Sequence, residues 1–303
     1  MIVNSNIITY DSLLTLAQTY KLQTTAVVNP NDYNSLKGAI TAATEGLIYP
    51  LLCGSKSVIQ NIALKNNLSL EACKIIDCID EEKALATALS LCVTGEATLL
   101  MKGNIHTDTF MAGVIKKENG LRGDKLLSHI FALNIPSQSR FIYVTDAAIN
   151  IAPTLEKKEK ILHNAIDFLI KTGIARPKVA IISATESVLP NMASTVDAQA
   201  LSKIASLKAK ADVEGPLAFD NIISKGAARL KRIKSIVAGE ADLILVPTIE
   251  AGNILVKCAV YLANAQVGGV VLGAKIPIIL TSRADNVESR IFSTILACIG
   301  SPN

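Results

Sequence analysis

The sequence predicts an α/β protein built on mainly parallel sheet, and three observations carry that expectation. Short apolar runs alternate with amphipathic stretches almost from end to end, as repeated strand and helix require. Hydrophobic residues make up 50% of the composition while aromatics are only 4% and Trp is absent, so Ile, Leu, Val and Ala must fill the core. Those are the residues of buried parallel strands and their covering helices. At 303 residues the chain exceeds one compact core, and two domains sharing a cleft are expected of that size.

The elements follow in order. Strands are expected at 25–28, 49–53, 74–77 and 98–101, each followed by a helix-like segment. Helices are expected over 32–44, 55–65 and 80–92, with Asp32, Ser55 and Asp80 as candidate caps. A polar stretch, Asn134-Ile135-Pro136-Ser137-Gln138-Ser139, precedes the apolar run Phe141-Ile142-Tyr143-Val144, and the domain boundary is placed there. A helix over 154–172 shows one apolar face in Leu155, Ile161, Leu162, Ile166, Leu169 and Ile170. Strands follow at 179–183, 243–246 and 269–272, with a long helix starting near Ala251. Two short strands are read in 270–275 and 276–280, then a helix over 287–296. No short-period repeat or low-complexity tract is present.

The bulk properties exclude several classes. A net charge of +4 without a long basic block argues against a dedicated nucleic-acid surface and leaves small anions as partners. The densest cationic stretch, 225–234, reads first as a solvated helix face. The amino terminus has no basic start followed by a long apolar stretch, and no uninterrupted apolar segment reaches the length of a bilayer span. Cys53, Cys73, Cys78, Cys92, Cys258 and Cys298 form no Cys-x-x-Cys pair and read as buried thiols in a reducing compartment. A soluble cytoplasmic protein without membrane contact is the expectation.

Polar clusters stand where strands end, and open α/β sheets bind ligands at the carboxyl ends of their strands. The run Leu280-Thr281-Ser282-Arg283-Ala284-Asp285 places a hydroxyl, a guanidinium and a carboxylate after an apolar segment. In Met101-Lys102-Gly103-Asn104-Ile105-His106-Thr107-Asp108, Gly103 permits close approach of a ligand, and Thr107 or Asp108 caps the next helix. His106 and Asp108 lack a third ligand at metal spacing. Asp146 and Asn150 flank a turn before Pro153, read either as structure or as ligand contact. Ser183-Ala184-Thr185-Glu186 marks another strand exit, with Ser194 or Thr195 capping the helix beyond it. Gly215-Pro216 reads as a turn beside Asp220-Asn221. Gly252 and Asn253 open a helix, where a glycine points to close packing or ligand approach.

Five ordered motifs, Gly215-Pro216-Leu217-Ala218-Phe219-Asp220-Asn221, Val237-Ala238-Gly239-Glu240-Ala241-Asp242, Ile249-Glu250-Ala251-Gly252-Asn253, Gly273-Ala274-Lys275-Ile276-Pro277 and Thr281-Ser282-Arg283-Ala284-Asp285, resemble the phosphate acetyltransferase and phosphate butyryltransferase family, most strongly its butyryltransferase branch. Weaker resemblance through Asn150-Ile151-Ala152-Pro153 and Lys102-Gly103 reaches back to about Thr25. The resemblance implies two α/β/α domains of the isocitrate/isopropylmalate dehydrogenase-like kind, a mainly parallel sheet in each, and an interdomain active-site cleft. It places 1–138 and 278–303 in a first, discontinuous domain and 139–277 in a second. It implies acyl transfer between coenzyme A and inorganic phosphate through an acyl phosphate, with no metal or redox cofactor, in a homodimer. Ser282 and Arg283 are the catalytic candidates it supports, with Glu288 as the candidate base beside Ser289. Lys102, Gly103, Asn150, Gly215, Pro216, Asp220, Asn221, Gly252, Asn253, Lys275 and Asp285 are the substrate-binding ones.

The residue types suit that chemistry. A thiolate must attack the acyl phosphate and the tetrahedral oxyanion needs fixed donors. The planar fork of Arg283 matches paired oxygens, and Ser282 can donate to the same centre. Three departures stand out. Acetyltransferases of the family carry an aspartate, proposed as the base, seven residues after this serine, where this chain has Ser289. Glu288 is adjacent but rotated by about 100° along a helix; Asp285 and solvent are the other candidates. Thr248 replaces an acidic or amide residue after the proline. Met111 stands near where acetyltransferases place a substrate-contacting arginine, which favours a larger acyl group such as butyryl. The competing expectations are a phosphate acetyltransferase, a non-catalytic protein that binds coenzyme A or acyl phosphate, and a decarboxylating dehydrogenase. The last lacks acidic metal ligands and a Gly-x-Gly-x-x-Gly turn.

Overall fold

The computed structural model describes residues 8–283 and 285–302; the amino-terminal residues 1–6 read above and Ala284 of the 281–285 run lie outside the described residues. Two compact units are present, Asp11–Leu127 with Val267–Asn303, and Ser128–Gln266 with the amino-terminal stretch through Tyr10. Residues 138–139 stand between the fifth and sixth strands, and 277–278 at the start of the eleventh.

The first unit begins with α1 (Tyr10–Gln18), β1 (Gln23–Val28), α2 (Tyr33–Thr44), β2 (Ile48–Gly54), α3 (Lys56–Lys65), β3 (Lys74–Asp77), α4 (Glu81–Val93), β4 (Leu99–Lys102) and α5 (Thr107–Ile115). Its sheet has the order β3-β2-β1-β4 and is parallel throughout. Asp32 caps α2 by accepting the Ser35 N–H at 3.0 Å, and Asp80 caps α4 by accepting the Lys83 N–H at 2.7 Å. The chain moves outward from β1 to β3 and then returns past both to β4. With right-handed crossovers that return puts α4 on the opposite face from α2 and α3. The order therefore reverses between β1 and β4, and their carboxyl ends frame a crevice.

The other unit holds β5 (Ser128–Asn134), β6 (Ile142–Thr145), α6 (Leu155–Lys171), β7 (Lys178–Ile182), α7 (Ala193–Leu201), α8 (Ala205–Lys208), β8 (Asp212–Leu217), α9 (Phe219–Ile223), α10 (Lys225–Leu230), β9 (Leu243–Leu245) and α11 (Ile249–Ala263). Its strand order is β5-β6-β9-β7-β8, parallel from β6 to β8, with β5 antiparallel to β6. The chain then supplies β10 (Gln266–Leu272), β11 (Ile278–Ile279) and α12 (Val287–Gly300). β11 lies parallel to β4, and β10 antiparallel to β11. The mainly parallel α/β class is as expected. Among the described residues no helix is long and apolar enough to cross a membrane.

Several local expectations change. Gly215-Pro216 is inside strand β8, not a turn; β8 is the last strand of its order, where a proline leaves no ladder partner unsatisfied. Leu155 and Ile170, read as part of the apolar face of α6, are each 37% exposed because they sit at its ends, whereas Ile161, Leu162, Ile166 and Leu169 are buried. Cys258 is exposed and Cys73 half-buried, while the other four thiols are buried. The helix after His106 has no side-chain cap from Thr107 or Asp108, which lie inside its first turn. Ser194 and Thr195 likewise fall inside α7. The Ser194 hydroxyl pairs with that of Ser183 at 2.7 Å, and Thr195 Oγ donates to the Met192 carbonyl at 2.8 Å.

Candidate active site

In the first unit the crevice at the ends of β1, β4 and β11 collects the charged residues. Gly103 brings β4 against β1, its N–H donating to the Val28 carbonyl at 2.9 Å. A Cβ there would lie 2.3 Å from that oxygen, so what Gly103 admits is backbone. Lys102, the last residue of β4, is 1% exposed. Its ammonium donates to the Thr281 carbonyl at 3.2 Å. Burial, then Arg290 and Arg283, bring its pKa down to about 8, against the opposing pull of Asp285 and Asp32.

The segment after β11 closes the other side. Ser282 and Arg283 are exposed. The Ser282 N–H donates to the Asp285 carboxylate at 2.7 Å, and a guanidinium nitrogen of Arg283 lies 3.3 Å from His106 Nδ1. That contact gives His106 the role of acceptor at Nδ1, in place of the metal ligand first considered. Burial raises the Asp285 pKa, while the Ser282 N–H, Arg290 and Lys102 pull it down. Asn286 caps α12 by accepting the Ser289 N–H at 2.9 Å, which fixes the backbone where the family's aspartate would stand. Glu288 is exposed in the first turn. Of the charges acting on Lys102, Arg290 and Arg283 are opposed by Asp285 and Asp32, so with Lys102 itself positive charge exceeds negative by one around it.

Arg290 is the residue sequence reading missed. It is 1% exposed, and its guanidinium reaches Thr281 Oγ, the Ser282 carbonyl and the Lys102 carbonyl. The available signal was its helical spacing from Thr294 and Ala297, both buried, which puts a lone arginine on the inward face of α12. Lys275 is not part of this group. It is exposed in the turn between β10 and β11, at the amino end of β11, whereas Ser282 follows the carboxyl end. Its N–H donates to the Leu121 carbonyl at 3.0 Å.

In the second unit the candidates sit at carboxyl ends of parallel strands. After β6, the buried Asp146 accepts the N–H groups of Ala148 and Ile149, each at 3.0 Å, and the Asn150 amide at 2.6 Å. Burial raises its pKa and those donors oppose the shift. Asn150 is thereby oriented by a carboxylate. Gly252 in α11 packs against Ala147 of the same turn, where a Cβ would lie 2.6 Å from the alanine Cβ, and Asn253 is exposed beside it. Thr248, which stands where an acidic or amide residue was expected, is the N-cap residue of α11, its side chain accepting the Ala251 N–H. Beyond β8, the buried Asn221 amide donates to Glu186, and Lys231 bridges Glu186 at 2.9 Å and Asp220 at 3.0 Å. Lys231 lowers the Asp220 pKa. Lys225 pairs with Glu240, so two of the cations in the 225–234 stretch have carboxylate partners.

A parallel α/β sheet with a net cationic crevice at a switch point defines a protein built to handle a small anionic ligand. The Phosphate acetyl/butaryl transferase family model matches residues 78–298, and the chain belongs to that family. It is 44% identical to a phosphate acetyltransferase of Rhizobium meliloti over 96% of this chain and 92% of that protein. It is 37% identical to a phosphate butyryltransferase of Clostridium beijerinckii over 96% of this chain and 97% of the relative. Among solved structures, a branched-chain phosphotransacylase from Enterococcus faecalis V583 superposes with a TM-score of 0.82 at 31% identity, covering 93% of this chain and 100% of that one. A 4-hydroxythreonine-4-phosphate dehydrogenase from Klebsiella pneumoniae shares the fold at a TM-score of 0.56 and 13% identity, over 91% of this chain and 98% of the other.

Proposed function

We propose that the chain is a phosphate acyltransferase that moves a short acyl group between coenzyme A and inorganic phosphate. The carrying observation is the net cationic crevice in which the exposed Arg283 stands beside the buried Lys102 and Arg290. In one direction the coenzyme A sulfur attacks the acyl carbon of the acyl phosphate. The tetrahedral oxyanion collapses, the carbon–oxygen bond breaks, and phosphate leaves with its electron pair. In the reverse direction a phosphate oxygen attacks the thioester and the thiolate departs. Both directions build negative charge on oxygens that a planar guanidinium can pair, and Arg283 is assigned that role, with the Ser282 hydroxyl as a second donor.

The thiol proton needs an acceptor. Asp285 is occupied in holding the Ser282 N–H. Glu288 is the exposed carboxylate in the first turn of α12 and is assigned the role. In the second unit Asn150, oriented by Asp146, is a polar contact offered to the substrate.

Two acyl groups are carried into the test. Butyryl is favoured by Met111 in the place of the acetyltransferase arginine. Acetyl is favoured by the 44% identity to a protein named for it. The six thiols, none in a disulfide, fit action in the reducing cytoplasm. Ile254, Tyr261 and Leu262, exposed on α11, supply apolar surface suited to a homodimer contact. The deciding experiment measures phosphate-dependent release of free thiol from acetyl-, propionyl-, butyryl- and branched acyl-CoA. Release with at least one of them is expected, and none with any would overturn the assignment. Calorimetric binding of coenzyme A without turnover would identify a non-catalytic member instead.

A further inference from the structure

Arg290 is a buried cation to which the reaction above gives no task. One nitrogen of its guanidinium donates to Thr281 Oγ at 2.9 Å and to the Lys102 carbonyl at 3.3 Å; the other donates to the Ser282 carbonyl at 3.1 Å. A single side chain therefore ties the last residue of β4 to the two residues that precede Arg283. The strand ladder does not reach that far. β4 and β11 pair only at Leu100 with Ile278 and at Met101 with Ile279, so the segment beyond Ile279 leaves the sheet. Helix α2 makes room for the guanidinium stem, because Gly38 faces it and a Cβ there would lie 3.0 Å from both Cβ and Cδ of Arg290. A glycine inside a helix carries an intrinsic cost, and this one faces the arginine stem.

We propose that Arg290 is a positioning residue, holding the Thr281-Ser282-Arg283 segment against Lys102 so that the Arg283 guanidinium and the Ser282 hydroxyl are fixed before the substrate oxyanion forms. The inference rests on the acyltransferase reading for its consequence, while the positioning itself has a readout that needs no turnover. Backbone donors and side chains held in place ahead of reaction need no reorganisation at the transition state, and displacement by about 1 Å can cost on the order of a hundredfold in rate.

The test compares the whole wild-type chain with Arg290→Met, Arg290→Lys and Gly38→Ala, by amide hydrogen exchange and by steady-state thiol release. Arg290→Met is expected to accelerate exchange at the Ser282 N–H, which is bonded to Asp285, at least tenfold while leaving β2 and α3 unchanged. It should lower kcat by about tenfold to a hundredfold, with a smaller change in the KM for phosphate. Arg290→Lys keeps the charge but not the fork, and should restore part of kcat. If Arg290→Met does not fold, Gly38→Ala displaces the same side chain from outside and should give the same local exchange pattern with a smaller loss of kcat. The proposal is overturned if folded variants exchange like wild type at Ser282. It is equally overturned if faster exchange there leaves kcat within twofold, or if exchange rises evenly across the chain. Should wild type release no thiol, the acyltransferase assignment fails, and the exchange comparison alone then decides whether Arg290 fixes the segment.

Discussion

Replacing Lys102 with methionine should stabilise the protein at neutral pH, by an amount that shrinks as the pH rises. Lys102 is 1% exposed, and burial together with Arg290 and Arg283 brings its ammonium from 10.5 to about 8. That difference corresponds to about 3 kcal/mol against the charged form. Below pH 8 the group is protonated both folded and unfolded, and the full cost weighs on the native state. Between 8 and 10.5 the unfolded chain binds a proton that the folded chain has released. Stability therefore rises with pH across that window, at a slope approaching 1.4 kcal/mol per unit, roughly, and the cost is gone above 10.5. Methionine carries none of this, but it forfeits the hydrogen bond from a charged donor to the Thr281 carbonyl, worth about 1.5 kcal/mol. The variant should thus be more stable than wild type by about 1 to 2 kcal/mol at pH 7, and the two should converge and then cross toward pH 9.5. Urea unfolding followed by circular dichroism at pH 7, 8, 9 and 9.5 reads the difference, from which unrelated titrations cancel. A difference that stays constant from pH 7 to 9.5 would refute the reasoning.

Arg283→Ala should lower kcat by about a hundred- to a thousandfold while moving the unfolding midpoint little, since the side chain is exposed; steady-state kinetics beside thermal unfolding checks it, and near-wild-type turnover removes Arg283 from the mechanism. Glu288→Gln should lower kcat by about a hundredfold, and Ser289→Asp should recover rate in that background by returning an acid to the position the family uses; turnover unaffected by Glu288→Gln leaves the proton to solvent or Asp285. Gly103→Ala should destabilise by about 3 kcal/mol, because the new Cβ would meet the carbonyl oxygens of Val28 and Asn29 at 2.3 and 2.8 Å, and urea unfolding with a shift well under 1 kcal/mol, roughly, would contradict that contact.

What the sequence made legible follows from which forces are local. The strands of the first unit are followed by helices as the pattern indicates, and Lys74–Asp77 is where the pattern put it, but Ser55, read as the cap of α3, makes no side-chain cap bond. Asp32 and Asp80 cap as their spacing indicates, because a cap needs only its own next turn. The Gly215-Pro216 pair misled because its turn chemistry is local whereas its place on an outer strand is tertiary. Gly103 misled in the same direction: a glycine by itself does not say whether a ligand or a neighbouring strand approaches it, and here the carbonyl of Val28 does. The Ser282–Arg283 pair was visible from its motif, but nothing in the run discloses that an arginine eight residues beyond Ser282 holds the Ser282 carbonyl.

The three cations of the crevice divide into two kinds, one exposed and two buried. Arg283 is exposed, costs little to place, and sits in a motif whose polarity announces a site. Lys102 and Arg290 are each 1% exposed; Lys102 is legible from its place at a strand exit before Gly103, whereas Arg290 lies within a helix between Ser289 and Ile291 and has no motif of its own. Burial lowers the pKa of both cations, with the neighbouring arginines adding to the shift at Lys102, and Asp285 and Asp32 compensate only in part. A core selected for stability alone would replace them with aliphatic residues of similar volume. Their presence makes sense where an anionic substrate completes the charge balance, and their burial keeps the field they create from relaxing as the oxyanion forms. Under the proposed reaction the exposed arginine would meet the substrate, with Arg290 holding its segment and Lys102 beside it.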